Sequence, residues 1–503
     1  MSEQSNAKHK HRHRRPIHKK PGFYIFIFSV LSLLFLMIQL YRFNALPFIS
    51  VFILVDIEAV FLFLIWYLMI RRHRRKFKVG GAVIAVILCL FNLFGGYQIY
   101  QIVHTIDKMN DTDQHNQGNY VELYVMKDSV LSTVQELEGR KVGLLSSMPE
   151  NQAKVMLDWI QKNGVTIDVQ QYDSSLKMAN DLKGRVLDAI ILFQPSLSII
   201  EDYEGLETFH QEIRSLHQIE VESRGLAKPD KLDVTKSPFS ILISGIDTYE
   251  EATAAGRSDV NLLLTVNPMS RQVFMLSIPR DLYVEVQSDQ EVTPFTKGEK
   301  DKLTHTGIYG AEVTEKTIEN LLNTEVNFVV RVNFTTLVNL VDDLGGVDVN
   351  NPNDFSIGEK HFSQGTVHLD GEDALSFSRA RYAFVQGDRE RGRNQMRVVE
   401  AILNKALSPE LLKSYNPILE TVSQSVQMNI SSQEIAALVN MQLSKPSSWS
   451  IYAYSLTGAD AHEFAPALGD QAYVMIPDES ILTNAKQDII AIRNGEKPLF
   501  TNN

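Results

Sequence analysis

Five arginines, Arg257, Arg280, Arg379, Arg381 and Arg391, and two aspartates, Asp247 and Asp259, stand at the ends of predicted strands and helices. Guanidinium groups grip phosphate oxygens by paired hydrogen bonds, and carboxylates supply the hard oxygen ligands that Mg2+ prefers, so the set points to pyrophosphate chemistry. Asp247 and Asp259 are 12 positions apart, enough for a strand end, a loop and the start of the next strand. That spacing can bring both carboxylates to one cation. A lone aspartate there would more often cap a turn; Arg257 and Arg280 beside the pair favour the metal.

The elements that must position these residues follow from pattern. FSILISGID predicts a buried strand ending at Asp247, and GRSDVNLLLTVNP a second strand entered just after Arg257 and Asp259. RQVFMLSIPRD predicts a third, with Arg280 and Asp281 at its carboxyl end. Open α/β sheets gather ligands at strand ends, where these charges fall. HLDGEDALSFSRARY predicts a helix from near Asp370 to around Arg379, and in an extended chain Arg379 and Arg381, two apart, project to one side. GDRERGRNQMRVVEAI predicts a helix with Asp388 at its start. On it Asp388, Arg391 and Gln395 share a face expected to line the site, while Arg389 and Arg393 share another that meets solvent or glutamates. A helix start also offers free N–H groups to phosphate.

Upstream lie three apolar runs, Gly22 to Tyr41, Pro47 to Ile70 and Val79 to Val103. Each approaches or exceeds the roughly 20 apolar residues needed to cross a hydrocarbon core. Three successive runs without a small-residue cleavage site disfavour a cleavable signal peptide. The basic stretches KHKHRHRRPIHKK and RRHRRKFK favour the cytoplasmic side, which places everything after about His104 outside. Asp56 and Glu58 lie inside the second run, where hydrogen bonding between helices is the default reading and a lipid head group or partner subunit the sharper one.

The net charge of −11 is unevenly spread: 14 of the 49 Lys and Arg but only 3 of the 60 Asp and Glu fall in residues 1–104, leaving the rest at −22. Such an outer region is not expected to bind nucleic acid, so its arginines are expected to form a local site. The basic tail, with His9, His11, His13 and His18, is expected to be a solvated segment that contacts anionic lipid rather than a metal site. The single cysteine, Cys89, lies in the third apolar run, so the outer domains fold without a disulfide.

Residues 105–119 suit a polar stalk. From Tyr120 to about Glu222, VELYVM, KVGLL, TIDVQQY and VLDAIILF alternate with helical segments and predict a small α/β unit with a partly parallel sheet. No acid-base pair or phosphate loop stands out in it. Residues 224–237, bracketed by Pro229 and Pro238, predict a linker.

The segments SGID, RSDVNLLLTVNP, SIPRDLYV, KLTH from Lys302, VNFTTLVNLVDDLGGVDV, HLDGEDALSFSRARY and GDRERGRNQ occur in this order from Ser237 onward and resemble the LytR-CpsA-Psr family of cell-envelope proteins. Three spans followed by an extra soluble module resemble its capsule-locus branch in Gram-positive bacteria. The expected fold class is α/β: a basic cytoplasmic tail (1–21), three transmembrane helices (22–104), the stalk (105–119), an extracellular accessory α/β domain (120–223), the linker (224–237) and a catalytic α/β domain (238–503). The resemblance gives the last a central mixed sheet and a hydrophobic lipid pocket.

The resemblance further implies a multi-pass enzyme outside the cytoplasmic membrane. It would take a glycopolymer, here capsular polysaccharide, from polyprenyl pyrophosphate and join it by a phosphodiester to a muramic-acid hydroxyl of peptidoglycan. Capsule-assembly proteins are further expected partners. By motif, Asp247 and Asp259 take the places associated with Mg2+, or Mn2+ in its stead. Arg257, Arg280, Lys302, Arg379, Arg381, Asp388, Arg391 and Gln395 take the head-group places. The catalytic set comprises Arg257, Asp259, Arg280, Arg379, Arg381 and Arg391. Where many members carry a second arginine three positions after Arg391, this chain has Asn394. Two alternatives stand beside this reading: hydrolysis of the same pyrophosphate, and a membrane-bound regulator of capsule-gene transcription, for which residues 1–20 are too short to form a helix-turn-helix.

Overall fold

Along the central strands the side chains alternate between two faces, and that alternation sets the layers around the candidate site. The computed structural model describes residues 21–43, 48–72, 74–109, 119–221, 226, 229–246, 256–289, 294–384, 387–406, 426–445 and 447–500. Asp247, the basic tail, residues 110–118 of the expected stalk and part of the expected linker lie outside these. The chain divides into two compact units, residues 1–104 with 435–446, and residues 105–434 with 447–503.

The first unit contains helices α1 (Pro21–Phe43), α2 (Phe48–Trp66, continued as a π-helical turn to Arg71) and α3 (Arg75–Met109). Each is long and apolar enough to cross a membrane. Residues 105–109, expected to be stalk, continue α3. Polar side chains tie the three together: Asn92 of α3 donates to Glu58 of α2 at 3.3 Å and to Ser32 of α1 at 3.4 Å. Glu58 is buried and Asp56 exposed, so the Glu58 carboxylate acts as a bond between helices.

In the second unit, a five-stranded sheet is built from β1 (Tyr120–Met126), β2 (Lys141–Leu145), β3 (Asp168–Tyr172), β4 (Ala189–Phe193) and β5 (Ile213–Glu220) in the order 3-2-4-1-5. β2 runs parallel to β3 and β4, and β1 antiparallel to β4 and β5. Helices α4 (Glu150–Lys162) and α5 (Ser175–Lys183) bury Met156, Ile160, Met178 and Leu182 against it.

The larger sheet has six strands. In chain order they are β6 (Phe239–Ile246), β7 (Ser258–Asn267), β8 (Gln272–Ser277), β9 (Phe328–Val332), β10 (Gln427–Met428) and β11 (Ser450–Ser455), arranged 10-9-6-7-8-11. It is mixed, with β9 parallel to β6, β11 parallel to β8 and the other pairs antiparallel. Leu242, Leu263, Phe274 and Leu276 face one core with α6 (Ala311–Leu322) and, near the carboxyl end, a helix spanning Glu479–Arg493. Their strand neighbours Ile243, Leu262 and Val332 turn to the other side, covered by α7 (Phe334–Asp343), α8 (Gly371–Arg379) and α9 (Asp388–Ala406).

Within α6, Glu315 is buried with one carboxylate oxygen lacking a hydrogen-bond partner. Burial, with Glu319 nearby, pushes its carboxyl up to about 7. A carboxyl raised on folding stabilises fully below its unfolded value, and that contribution is lost as pH rises through the folded one. Glu315→Gln is therefore expected to raise stability by ~1–3 kcal/mol at pH 8 and to change little at pH 4.5. Thermal unfolding of the detergent-solubilised chain at the two pH values checks this.

Candidate active site

The register between β6 and β7 breaks at one position. Gly245 pairs with Val260 and Ile246 with Ser258, so Asp259 is the extra residue of a β-bulge. A bulge re-aims the side chain it carries, and here it turns Asp259 toward the same face as Val260. Gly245 is required opposite: a Cβ there would lie 2.7 Å from the Cβ of Val260.

Around Asp259 runs a chain of ion pairs. Arg280, just beyond β8, donates to one Asp259 oxygen at 3.0 Å, and the Thr304 hydroxyl donates to the same oxygen at 2.8 Å. Arg257 lies 3.8 Å from the other oxygen and donates to Asp202 at 2.6 Å. Arg280 Nε lies 3.8 Å from Asp281, which binds Lys302 at 2.8 Å. Burial opposes ionisation of Asp259, but Arg280 and Arg257, helped by Thr304, hold its carboxyl well below the usual range. Asp281 is lowered in the same way, Lys302 and Arg280 outweighing its burial.

Beside this chain opens a cavity of about 250 Å3. Asp259, Arg379, Arg381, Arg391 and Gln395 are among its polar lining, and Ile243, Leu262, Val332, Leu337, Leu375 and Val398 among its apolar walls. Arg379 ends α8, whose start Asp370 caps by accepting from the Asp373 amide. Its guanidinium sits 4.4 Å from the ring centre of Phe334, a cation–π contact that orients it. Arg381 lies over Tyr382 at 5.6 Å. Arg391 and Gln395 come from one face of α9, as their spacing predicts.

The other face of α9 turns elsewhere: Arg389 donates to the Gly458 carbonyl, and Arg393 and Arg397 both bind Glu390. Asn394 is fully buried and bonds Arg397. Asp388 is the first residue of α9; its side chain lies outside the described ones. Thus Asp259, Arg379, Arg381, Arg391 and Gln395 share the cavity, while Arg257, Arg280 and Lys302 form the adjoining ion-pair chain. Asp202, Asp281, Thr304 and Phe334 belong to the arrangement without having been selected as site residues. Asp281 adjoins Arg280 at a strand end, a recognisable signal; Asp202 carries none, because it comes from the accessory module.

One Asp259 oxygen is buried with no hydrogen-bond partner, which suits a residue that supplies a single oxygen to a cation. Asp247 lies outside the described residues, and among those described no cluster of three or more His, Cys, Asp or Glu forms a metal cage. A cation here would draw most of its ligands from phosphate and water, as Mg2+ commonly does.

Residues 207–488, more than half of the chain, match the LytR_cpsA_psr family. The chain belongs to the LytR_cpsA_psr family. A relative in Bacillus cereus, polyisoprenyl-teichoic acid–peptidoglycan teichoic acid transferase TagU, is 35% identical over 208 residues, covering 41% of this chain and 65% of that protein. The TagU of Enterococcus faecalis is 39% identical over 198 residues, covering 39% and 63%. This LytR_cpsA_psr chain thus spans somewhat less than two thirds of the length of either. Among solved structures, protein gbs0355 from Streptococcus agalactiae is 29% identical with a TM-score of 0.45, covering 55% of this chain and 94% of its own. B. subtilis TagV is 30% identical with a TM-score of 0.43, covering 52% and 99%.

The ion pairs of Asp259 stabilise fully above its unfolded pKa, near 3.9, and that contribution is lost only as pH falls through the lower folded value. Asp259→Asn removes the one carboxylate that two buried guanidinium groups share, leaving them only Asp202 and Asp281, and is expected to cost about 3–5 kcal/mol at pH 7. The difference from wild type should hold down to about pH 4 and shrink below it. Unfolding midpoints across a pH series measure both.

Proposed function

We propose that this protein transfers a glycopolymer from a polyprenyl-diphosphate carrier to peptidoglycan at the outer face of the membrane, with capsular polysaccharide as the polymer. One observation carries the reading: an apolar cavity opens directly onto Arg379, Arg381 and Arg391. That pairing suits a molecule with an isoprenoid tail and a diphosphate head. The names of the TagU relatives, transferases acting between a polyisoprenyl-linked polymer and peptidoglycan, support the reaction class.

In the reaction, the acceptor hydroxyl oxygen bonds to the sugar-linked phosphorus and its proton passes to solvent water. The bond from that phosphorus to the bridging oxygen breaks, and polyprenyl phosphate departs with the bond's electrons. Such a transfer depends mainly on in-line positioning and on neutralising the phosphate oxygens. Arg379, Arg381 and Arg391 meet the head group, and Gln395 adds an amide donor from the face of α9 that carries Arg391. Asp259 would hold Mg2+, with Asp247 as the second carboxylate; the ion would neutralise charge on the diphosphate. A carboxyl held so far below its usual range is a weak base, so Asp259 serves by charge rather than by taking the hydroxyl proton.

The basic stretches before α1 and at the junction of α2 and α3 favour a cytoplasmic amino terminus and external soluble domains on a Gram-positive cell membrane. The carrier lipid would then reach the cavity from the outer leaflet.

Full-length protein in nanodiscs, supplied with lipid-linked polymer and peptidoglycan, tests the proposal by product analysis. Polymer joined to peptidoglycan is expected, with Arg379→Ala or Arg391→Ala slower by about 100- to 1000-fold. Chelation should stop transfer and added Mg2+ restore it. Release of free phosphate-ended polymer alone, with acceptor plentiful, would favour hydrolysis.

A further inference from the structure

The accessory module reaches into the site. Asp202 lies in the turn after the short helix Leu197–Ile200, and its carboxylate accepts from Arg257 at 2.6 Å. That turn is anchored, since Ile199, Ile200, Leu206 and Phe209 around it are buried in the accessory core. The same core continues into Ile308, Ala465 and Leu468 of the larger domain, and the Ser175 amide and hydroxyl each donate to the Leu468 carbonyl at 3.1 Å. Asp202 is therefore presented by a packed wall and not by a loose loop.

The ion-pair chain contains three carboxylates, Asp202, Asp259 and Asp281, and three cations, Arg257, Arg280 and Lys302. A diphosphate arriving beside this chain adds negative charge to a group already in balance, and it competes most easily with the carboxylate that is least costly to release. Asp259 and Asp281 keep 7% of their side chains exposed and Asp202 keeps 39%, so releasing Asp202 to water is the least costly. Arg257, which Asp202 holds, is not among the residues lining the cavity, whereas Arg379, Arg381 and Arg391 are.

We propose that Asp202 competes with the substrate diphosphate for Arg257, so that the accessory module latches one arginine of the phosphate site until the substrate displaces it. This rests on the diphosphate reading of the site. The probe is farnesyl diphosphate, titrated into the full-length chain in detergent as wild type, Asp202→Asn, Asp202→Glu and Arg379→Ala. Asp202→Asn is expected to tighten binding about 3- to 10-fold, more at low salt, with Asp202→Glu near wild type. Weakened or unchanged binding in Asp202→Asn, while Arg379→Ala weakens it, overturns the latch and leaves the site reading intact. Undiminished binding in Arg379→Ala overturns the site reading and the latch with it. Should Asp202→Asn misfold, Asp202→Ser decides: farnesyl diphosphate binding tighter than wild type supports the latch, and unchanged or weaker binding overturns it.

Discussion

Arg257 and Arg280 keep only 15% and 16% of their side chains exposed, and guanidinium groups so far from water are costly to bury without a counter-charge. Asp259 supplies it to both, and it can do so because a bulge in β7 swings it out of the simple strand alternation. Without that carboxylate, the two guanidinium groups would share no counter-ion and would be left with Asp202 and Asp281 alone. With it, the strand ends hold a rigid, charge-balanced floor, and the helices above bring three further arginines to the cavity itself.

The two faces of the central sheet divide the labour. Leu242, Leu263, Phe274 and Leu276 pack densely against α6 and the Glu479–Arg493 helix. On the opposite face Ile243, Leu262 and Val332 meet α7, α8 and α9 across open space. An apolar guest of matching shape gains packing contacts with such a lining. An isoprenoid chain is such a guest, and the arginines at the polar part would hold its head group near the reacting phosphorus.

Much of this was legible in the sequence. The alternating patterns of FSILISGID and RSDVNLLLTVNP mark the strands, Asp370 marks the start of α8, and spacings of three and four put Arg391 and Gln395 on one face of α9. Order along the chain also separated the cavity face of α9 from the face where Arg393 meets Glu390. Two features were not legible. The bulge at Asp259 depends on the register with β6, which no local pattern encodes. Asp202 reaches Arg257 across 55 positions, through packing between two α/β layers whose own strands read as unrelated units.

The most direct measurement of the central claim is experimental density for the chain bound to a polyprenyl diphosphate. The isoprenoid carbons are expected between Val332, Leu337, Leu375 and Val398, with phosphate oxygens within hydrogen-bond reach of Arg379, Arg381 and Arg391. An isoprenoid lying outside that cavity, or a diphosphate held away from those arginines, would contradict the account.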